Sequence, residues 1–410
     1  MKHYVIVGCG TAAVGCVEGI RSADKEGKIT IISAENHPAY CRPLISYFLE
    51  DKTTEEKMRY RDASFYEENG CDVMYGTRVT EIDVERKTVL TDRNVEIPFD
   101  KLCVATGSSP FVPPMENIEN VEKKYSFLTL DDAKALKEAV EPSARVLIVG
   151  AGLIGLKCAE GLCALTENIT VCDLSDHILS SILDAADAEV VQKHLEEKGI
   201  RFFLHNSVKS FENNNAVMQG GEQIPFDILV TAVGVRANIG IFRDAGGDCG
   251  RGITVNERME TSVCDIYAAG DCTESRDVTD GNIKIMALMP NAYMQGFTAG
   301  CNMAGGEKTF DNAIPMNSIG FFGYHLMTAG RRNGKEFVQT NNESVKRLYF
   351  DGERLVGFVL LGDVKNAGIY TNFIRSRIPV DDSVTENMKK SPNLSLYDIK
   401  KRRNILESVV

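Results

Sequence analysis

Short apolar runs broken by glycine-rich turns set the pattern of this chain, and one such pattern occurs twice. The run Tyr4-Val5-Ile6-Val7 leads into Gly8-Cys9-Gly10-Thr11-Ala12-Ala13, a helical segment to about Arg21, and a second run, Ile29-Thr30-Ile31-Ile32, that ends near Glu35. The echo begins at Val146-Leu147-Ile148-Val149 and passes through Gly150-Ala151-Gly152-Leu153-Ile154-Gly155. A helical segment to about Leu165 and the run Ile169-Thr170-Val171, ending at Asp173, complete it. Each copy predicts a strand, a helix and a second strand. Two later runs, Phe99 to Gly107 and Phe226 to Gly234, both end in small residues and predict strands that return to close each unit.

Both turns carry the spacing G-x-G-x-x-G/A, with Gly8, Gly10 and Ala13 in the first and Gly150, Gly152 and Gly155 in the second. The first glycine permits a tight turn and the second lets the backbone approach a pyrophosphate. A small third residue lets helix and strand pack closely. The helix that follows presents free N–H groups and the positive end of its dipole to the phosphates. An acid at the end of the second strand accepts hydrogen bonds from ribose hydroxyls. Glu35 and Asp173 stand 27 and 23 positions after Gly8 and Gly150, near the separation of about 20 that this role needs. Two dinucleotide sites are expected. If a nicotinamide cofactor occupies the second, the Asp173 carboxylate favours NADH over NADPH, since it repels a 2′-phosphate and no basic cluster follows it.

Pro110, Pro113 and Pro114 mark a linker, and a second crossing between units is expected near Arg236. From about Ile314 the pattern changes to short β-like runs, Ser318 to Tyr324, Val345 to Phe350 and Leu355 to Gly362, with Asp351-Gly352 as a hairpin signal. A helical stretch from Ala367 to Arg377 follows. From about Glu386 a polar tail with the cluster Lys400-Lys401-Arg402-Arg403 reads as a solvated helix. The fold class expected is α/β, with two Rossmann-like dinucleotide-binding domains and a C-terminal α+β domain.

Composition narrows the partners. The 410 residues suit two or three domains, and 43% apolar with 25% charged residues is a globular profile. A net charge of −12 leaves no surplus of cations for a duplex, so nucleic acid is not expected. The N-terminus lacks the features of a signal peptide, and no apolar run approaches the roughly 18 to 20 residues that span a bilayer. Twelve cysteines, none in a C-x-x-C pair, suit reduced thiols in a cytoplasm, and no metal site is indicated.

Further motifs carry a resemblance. Ala105-Thr106-Gly107 and Thr261-Ser262-Val263-Cys264-Asp265-Ile266-Tyr267-Ala268-Ala269-Gly270-Asp271, with the two fingerprints, make the chain similar to the FAD-dependent pyridine-nucleotide disulfide oxidoreductase superfamily. Cys41-Arg42-Pro43-Leu44-Ile45-Ser46 and Met289-Pro290-Asn291-Ala292, with Gln295-Gly296, point to a branch near NADH:rubredoxin oxidoreductase and the N-terminal part of the nitrite reductase large subunit. The resemblance implies FAD on residues 1–109 and 236–308, NAD(P)H on 110–235, and an interface domain with a polar tail over 309–410. It implies FAD contacts from Gly8, Gly10, Thr11, Ala12, Ala13, Glu35, Arg42, Pro43, Val79, Ala105, Thr106, Gly107, Gly270, Asp271, Pro290, Asn291 and Ala292. Gly150, Gly152, Leu153, Ile154, Gly155, Asp173 and Gly234 are implied for NAD. Hydride would pass between nicotinamide and flavin, and electrons to or from a small iron-sulfur protein of rubredoxin or ferredoxin type, in a monomer or homodimer.

Three departures shape what is open. The family's C-x-x-x-x-C pair is absent from its place. Cys158 and Cys163 have that spacing but fall on the helix of the second fingerprint, where they point apart. Cys41 lies near the redox thiol of single-cysteine NADH oxidases, peroxidases and coenzyme A disulfide reductases, and the neighbouring Arg42 could lower its pKa, so that activity is one alternative. Another is an FAD-holding electron-transfer subunit of a larger complex. Finally, Lys157 stands where the family commonly has Glu, and Tyr47 near where a flavin-domain Lys is common. Lys157 is therefore a candidate to stabilise reduced flavin electrostatically, against a solvent-facing helix lysine.

Overall fold

The computed structural model describes residues 1–341 and 343–397, so the Lys400–Arg403 cluster lies outside the described residues. The described residues divide into two compact units, 1–275 with 284–310 and 276–283 with 311–397.

The first unit contains two parallel sheets built on one plan. In the first, β1 (His3–Val7), followed by helix α1 (Thr11–Ala23), pairs on one side with β2 (Lys28–Ile32). Helix α2 (Ile45–Leu49) precedes the edge strand β3 (Cys71–Met74). On its other side β1 pairs with β4 (Lys101–Val104). The chain leaves through β5 (Ser108–Pro110) and enters β6 (Lys124–Ser126) and helix α3 (Leu130–Ala139). The central strand of the second sheet is β7 (Val146–Val149), followed by α4 (Leu153–Leu162), β8 (Ile169–Cys172), β9 (Arg201–Phe203) and β10 (Ile228–Thr231). The chain returns through β11 (Val235–Ala237), which pairs antiparallel with β5, so both crossings form one two-stranded ribbon. β12 (Ile266–Ala268) then completes the first sheet and helix α5 (Met289–Met303) covers it. The orders are β12-β4-β1-β2-β3 and β9-β8-β7-β10-β6. The apolar runs are continuous because both faces of a parallel sheet are covered; every residue of β7 and β10 is buried.

The equivalence reaches individual bonds. Gly8 N–H donates to Ile32 O and Ala105 N–H to Val7 O, both at 2.8 Å; Gly150 N–H donates to Cys172 O and Ala232 N–H to Val149 O, both at 2.8 Å. Gly8 and Gly150 have φ of +114° and +118°, and a Cβ on either would lie 2.1 or 2.4 Å from the carbonyl oxygen of Ala105 or Ala232. Only glycine meets both demands.

Helix α5 is held against α1 backbone to backbone. A Cβ on Gly15 or Gly19 would come within 2.3 Å of a carbonyl oxygen of Tyr293 or Phe297, and one on Gly296 or Gly300 within 2.0 Å of Ala12 or Cys16. Both helices advance together through these pairs, so they run parallel and their N-termini lie at the same end.

The second unit is an antiparallel sheet, β13 (Met316–Phe321), β14 (Tyr324–Gly330), β15 (Lys335–Thr340), β16 (Val345–Asp351) and β17 (Arg354–Leu361), in the order β13-β14-β17-β16-β15, with helix α6 (Ala367–Arg375). The Asp351-Gly352 hairpin forms, with Asp351 opposite Arg354. The expected run Ser318 to Tyr324 is instead the end of one strand, a turn at Phe322-Gly323 with φ of 48° and 86°, and the start of the next; apolar residues through the turn hid it. Part of the tail expected to be solvated is packed: Met388 is buried, its carbonyl accepts from the Tyr370 hydroxyl at 2.7 Å, and Tyr397 stacks on Phe373.

Candidate functional site

Because the strands of each sheet are parallel, their carboxyl ends share one edge, where ligands of open α/β sheets bind. At the first edge the topology gathers Gly8 to Ala13 after β1, Glu35 beyond β2, Ala105 to Gly107 after β4, and Gly270 and Asp271 beyond β12. The first turn of α5, with Pro290, Asn291 and Ala292, joins them through its parallel packing on α1. At the second edge stand Gly150 to Gly155 after β7, Asp173 after β8 and Gly234 beyond β10.

The helices that open these edges are built to receive anions. Gly10 and Gly152 are the N-caps of α1 and α4; neither end has a side-chain cap or an acid in its first turn. By contrast, Thr129 and Asp132 close a full capping box on α3. A Cβ on Gly10 or Gly152 would meet nothing within 4 Å. Free N–H groups facing open space at a dipole's positive end fit a pyrophosphate.

The carboxylates fit ribose. Glu35 accepts from the Tyr40 hydroxyl at 2.7 Å on one oxygen and from Arg42 at 2.6 Å on the other, which leaves lone pairs for two hydroxyl donors. Asp173 accepts from Ala151 N–H at 2.7 Å and Ser175 N–H at 2.8 Å, so it is fixed against the fingerprint turn itself. Burial pushes the Asp271 carboxyl above its ordinary range, with Arg42 opposing that shift. Val79 packs its side chain in the core with Val5, Val7 and Ile32, so any ligand contact it makes falls to its backbone.

Arg42 does not serve Cys41. Its guanidinium bonds Glu35 and, at 3.1 Å, the carbonyl of Leu128, while the half-buried Cys41 thiol is pushed up by burial. The lowered thiol pKa expected from this neighbour is therefore corrected. All twelve cysteines are free; Cys158 is buried in α4, and burial pushes Cys163, at its C-terminus, up to about 11.

Lys157 is not a solvent-facing lysine. It lies in α4 where that helix crosses α2: a Cβ on Gly161 would come within 2.9 Å of Ser46 O. Its side chain is 14% exposed, paired with Glu160 at 4%, and its ammonium sits 4.8 Å from the centre of the Tyr47 ring.

Two anchoring roles were not assigned from the sequence. Asn238, just past β11, accepts from Thr106 Oγ1 at 2.7 Å through its carbonyl, donates from Nδ2 to Thr106 O at 2.9 Å and from N–H to Gly107 O at 2.9 Å. Gln295 accepts from Gly270 N–H at 2.8 Å and donates to Ser275 at 2.6 Å, tying α5 to the Asp271 turn. The Gln295-Gly296 pair was visible as a motif without its role; nothing local marked Asn238.

A sequence profile of the family described as "Pyridine nucleotide-disulphide oxidoreductase" matches residues 2–296. The chain is 31% identical over 404 residues to the nitrite reductase [NAD(P)H] of Bacillus subtilis, a match covering 95% of this chain and 49% of that protein. It thus spans about half the length of that relative. It is 30% identical to the rubredoxin-NAD(+) reductase of Pseudomonas putida, over 89% of this chain and 97% of that one. Its fold matches putidaredoxin reductase, solved in a covalent complex with putidaredoxin, at a TM-score of 0.87 and 23% identity, over 96% and 97% of the two chains. Among the described residues no helix is long and apolar enough to cross a membrane.

Proposed function

The chain belongs to the pyridine nucleotide-disulphide oxidoreductase family and is an oxidoreductase with FAD and NADH as cofactors, and from that premise we propose that it exchanges electrons between NADH and a small iron-sulfur protein. What carries this reading is the pair of equivalent edges, each with an uncapped glycine-led helix and a ribose-ready carboxylate, in a chain whose twelve cysteines are all free and whose adjoining thiols, Cys16 and Cys103, are fully buried in the core. The first edge, on residues 1–109 and 236–308, is assigned to FAD and the second, on 110–235, to NADH.

FAD held by these residues would supply the exchange between the two-electron hydride of one NADH and two one-electron carriers, with one proton released. The protein's own part is orientation and electrostatics. Helices α1 and α4 hold the pyrophosphates, Glu35 and Asp173 hold the riboses, and Asn238 and Gln295 keep the Thr106 and Asp271 turns in place. Asp173 discriminates against a 2′-phosphate. Lys157 is assigned the electrostatic role at the seam between the two halves; its pairing with Glu160 makes it a local dipole rather than a bare cation, which tempers the effect. A rubredoxin or ferredoxin is the acceptor in this reading, in the cytoplasm, with the protein as monomer or homodimer; the reverse flow, carrier to NAD, uses the same geometry.

Anaerobic rapid-mixing tests it. Flavin bleaching by NADH, faster than by NADPH, followed by reoxidation with rubredoxin or ferredoxin, is expected. Reoxidation only by oxygen, peroxide or coenzyme A disulfide would sink the carrier assignment. One observation favours a second arrangement: a relative twice this length holds the same unit beside further chain, so the protein can act as the FAD-bearing component of a larger assembly. Turnover with small dyes, but with iron-sulfur proteins only when other subunits are added, would select it.

A further inference from the structure

Helix α3 lies on the flavin half of the first unit although its neighbours in sequence, β6 and β7, belong to the second sheet. Residues on successive turns of one side bind the segment 35–55. Asp131 pairs with His37 at 2.7 Å, Lys134 with Glu55 at 2.8 Å, and Lys137 donates to Phe48 O at 2.9 Å. At its N-terminus the capping box satisfies Asp132 N–H and Thr129 N–H but leaves Leu130 N–H. That buried donor goes to the Tyr40 hydroxyl at 2.9 Å.

The same hydroxyl donates to Glu35 at 2.7 Å. Arg42 repeats the arrangement, with one nitrogen on Glu35 and another on Leu128 O, its guanidinium 5.1 Å from the centre of the Tyr40 ring. The carboxylate assigned to the FAD ribose is therefore joined, through two side chains, to the backbone that opens α3.

We propose that Tyr40, supported by Arg42, is a positioning residue linking the two nucleotide sites: filling the FAD site fixes Glu35, Glu35 fixes Tyr40, and Tyr40 seats the helix that leads into the nicotinamide sheet. The link rests on the reading that Glu35 holds FAD, and it is reciprocal, so NADH binding tightens the hold on FAD by the same factor.

Amide hydrogen exchange of the full chain, FAD-loaded and FAD-depleted, tests it without turnover. In the unaltered protein FAD slows exchange at residues 11–14 and also at 128–133, the latter by about threefold to tenfold, as one hydrogen bond is worth. Tyr40→Phe keeps the ring and removes the hydroxyl; FAD still protects residues 11–14, protection of 128–133 is lost, and NADH binds the loaded protein more weakly by a similar factor. Leu130→Pro, which removes the donor at a helix position that accepts proline, gives the same loss. Protection of 11–14 alone in the unaltered protein overturns the link and leaves the cofactor reading standing. Equal protection of 128–133 in the unaltered protein and Tyr40→Phe overturns the role of Tyr40. Failure to retain FAD at all overturns the cofactor reading and the link with it.

Discussion

At the scale of single residues, Lys157 and Asp265 are two charges with different work. Lys157 is half-buried in the seam between α2 and α4 with Glu160 and the Tyr47 face. Replacing it with Met keeps most of its length and removes the charge. Flavin reduction by NADH should slow by about tenfold, the effect of ~1.4 kcal/mol on a barrier, with FAD content unchanged. Unchanged reduction kinetics would return Lys157 to a packing role. Asp265 lies between Lys101 and Lys87, and those hydrogen bonds hold its carboxyl down to about 2. A folded pKa below the unfolded value of roughly 3.9 adds stability that is present above that value and lost as pH falls toward the folded one. Denaturant midpoints of the protein and Asp265→Asn should thus differ at pH 7 and converge between pH 4 and 2. A constant gap across that window would assign the loss to packing instead.

At the scale of elements, what could be read in advance follows from how local the physics is. The two fingerprints, the acids after β2 and β8, and the small-residue turns after β4 and β10 are written in short stretches, because a tight turn and a close carbonyl act within a few residues. The seating of α3 was not legible: Tyr40 and Leu130 are 90 positions apart and neither is unusual where it stands. The α1–α5 crossing lies between these extremes. Its glycines are visible, but only the fold shows that Gly296 faces Ala12 O at a distance that admits no Cβ. Gly296→Ala forces the helices apart and should cost about 1–3 kcal/mol, seen as a lowered melting temperature, and it should loosen FAD because the N-terminus of α5 moves with the helix. Gly368→Ala, in α6 where a Cβ meets nothing within 4 Å, is the control, and there alanine is neutral or stabilising. Equal melting temperatures for the two variants would remove the crossing as a determinant of the site.

At the scale of the whole molecule, one structural device is used twice, and which copy takes which cofactor is a separate question from whether either binds. The copies differ in what surrounds them. The first edge is completed by a second helix N-terminus, that of α5, and by the Asp271 turn, so more of a long ligand can be enclosed; at the second, Asp173 is fixed against the fingerprint turn. That asymmetry suits a resident cofactor at the first and an exchanging one at the second. Gly10 and Gly152 separate the two cleanly, since φ at each is ordinary and the space above each is open. A valine at either fills the place of a phosphate without straining the turn. Gly10→Val should purify without bound flavin. Gly152→Val should remain yellow, be bleached by dithionite, and resist NADH, with the rate at fixed NADH falling at least about tenfold for loss of a phosphate's charge-assisted hydrogen bonds at ~1.5–3 kcal/mol each. The opposite pattern, colourless Gly152→Val and yellow Gly10→Val, would exchange the two assignments while leaving the fold as described, because the geometry of the turns is common to both and only their surroundings tell them apart.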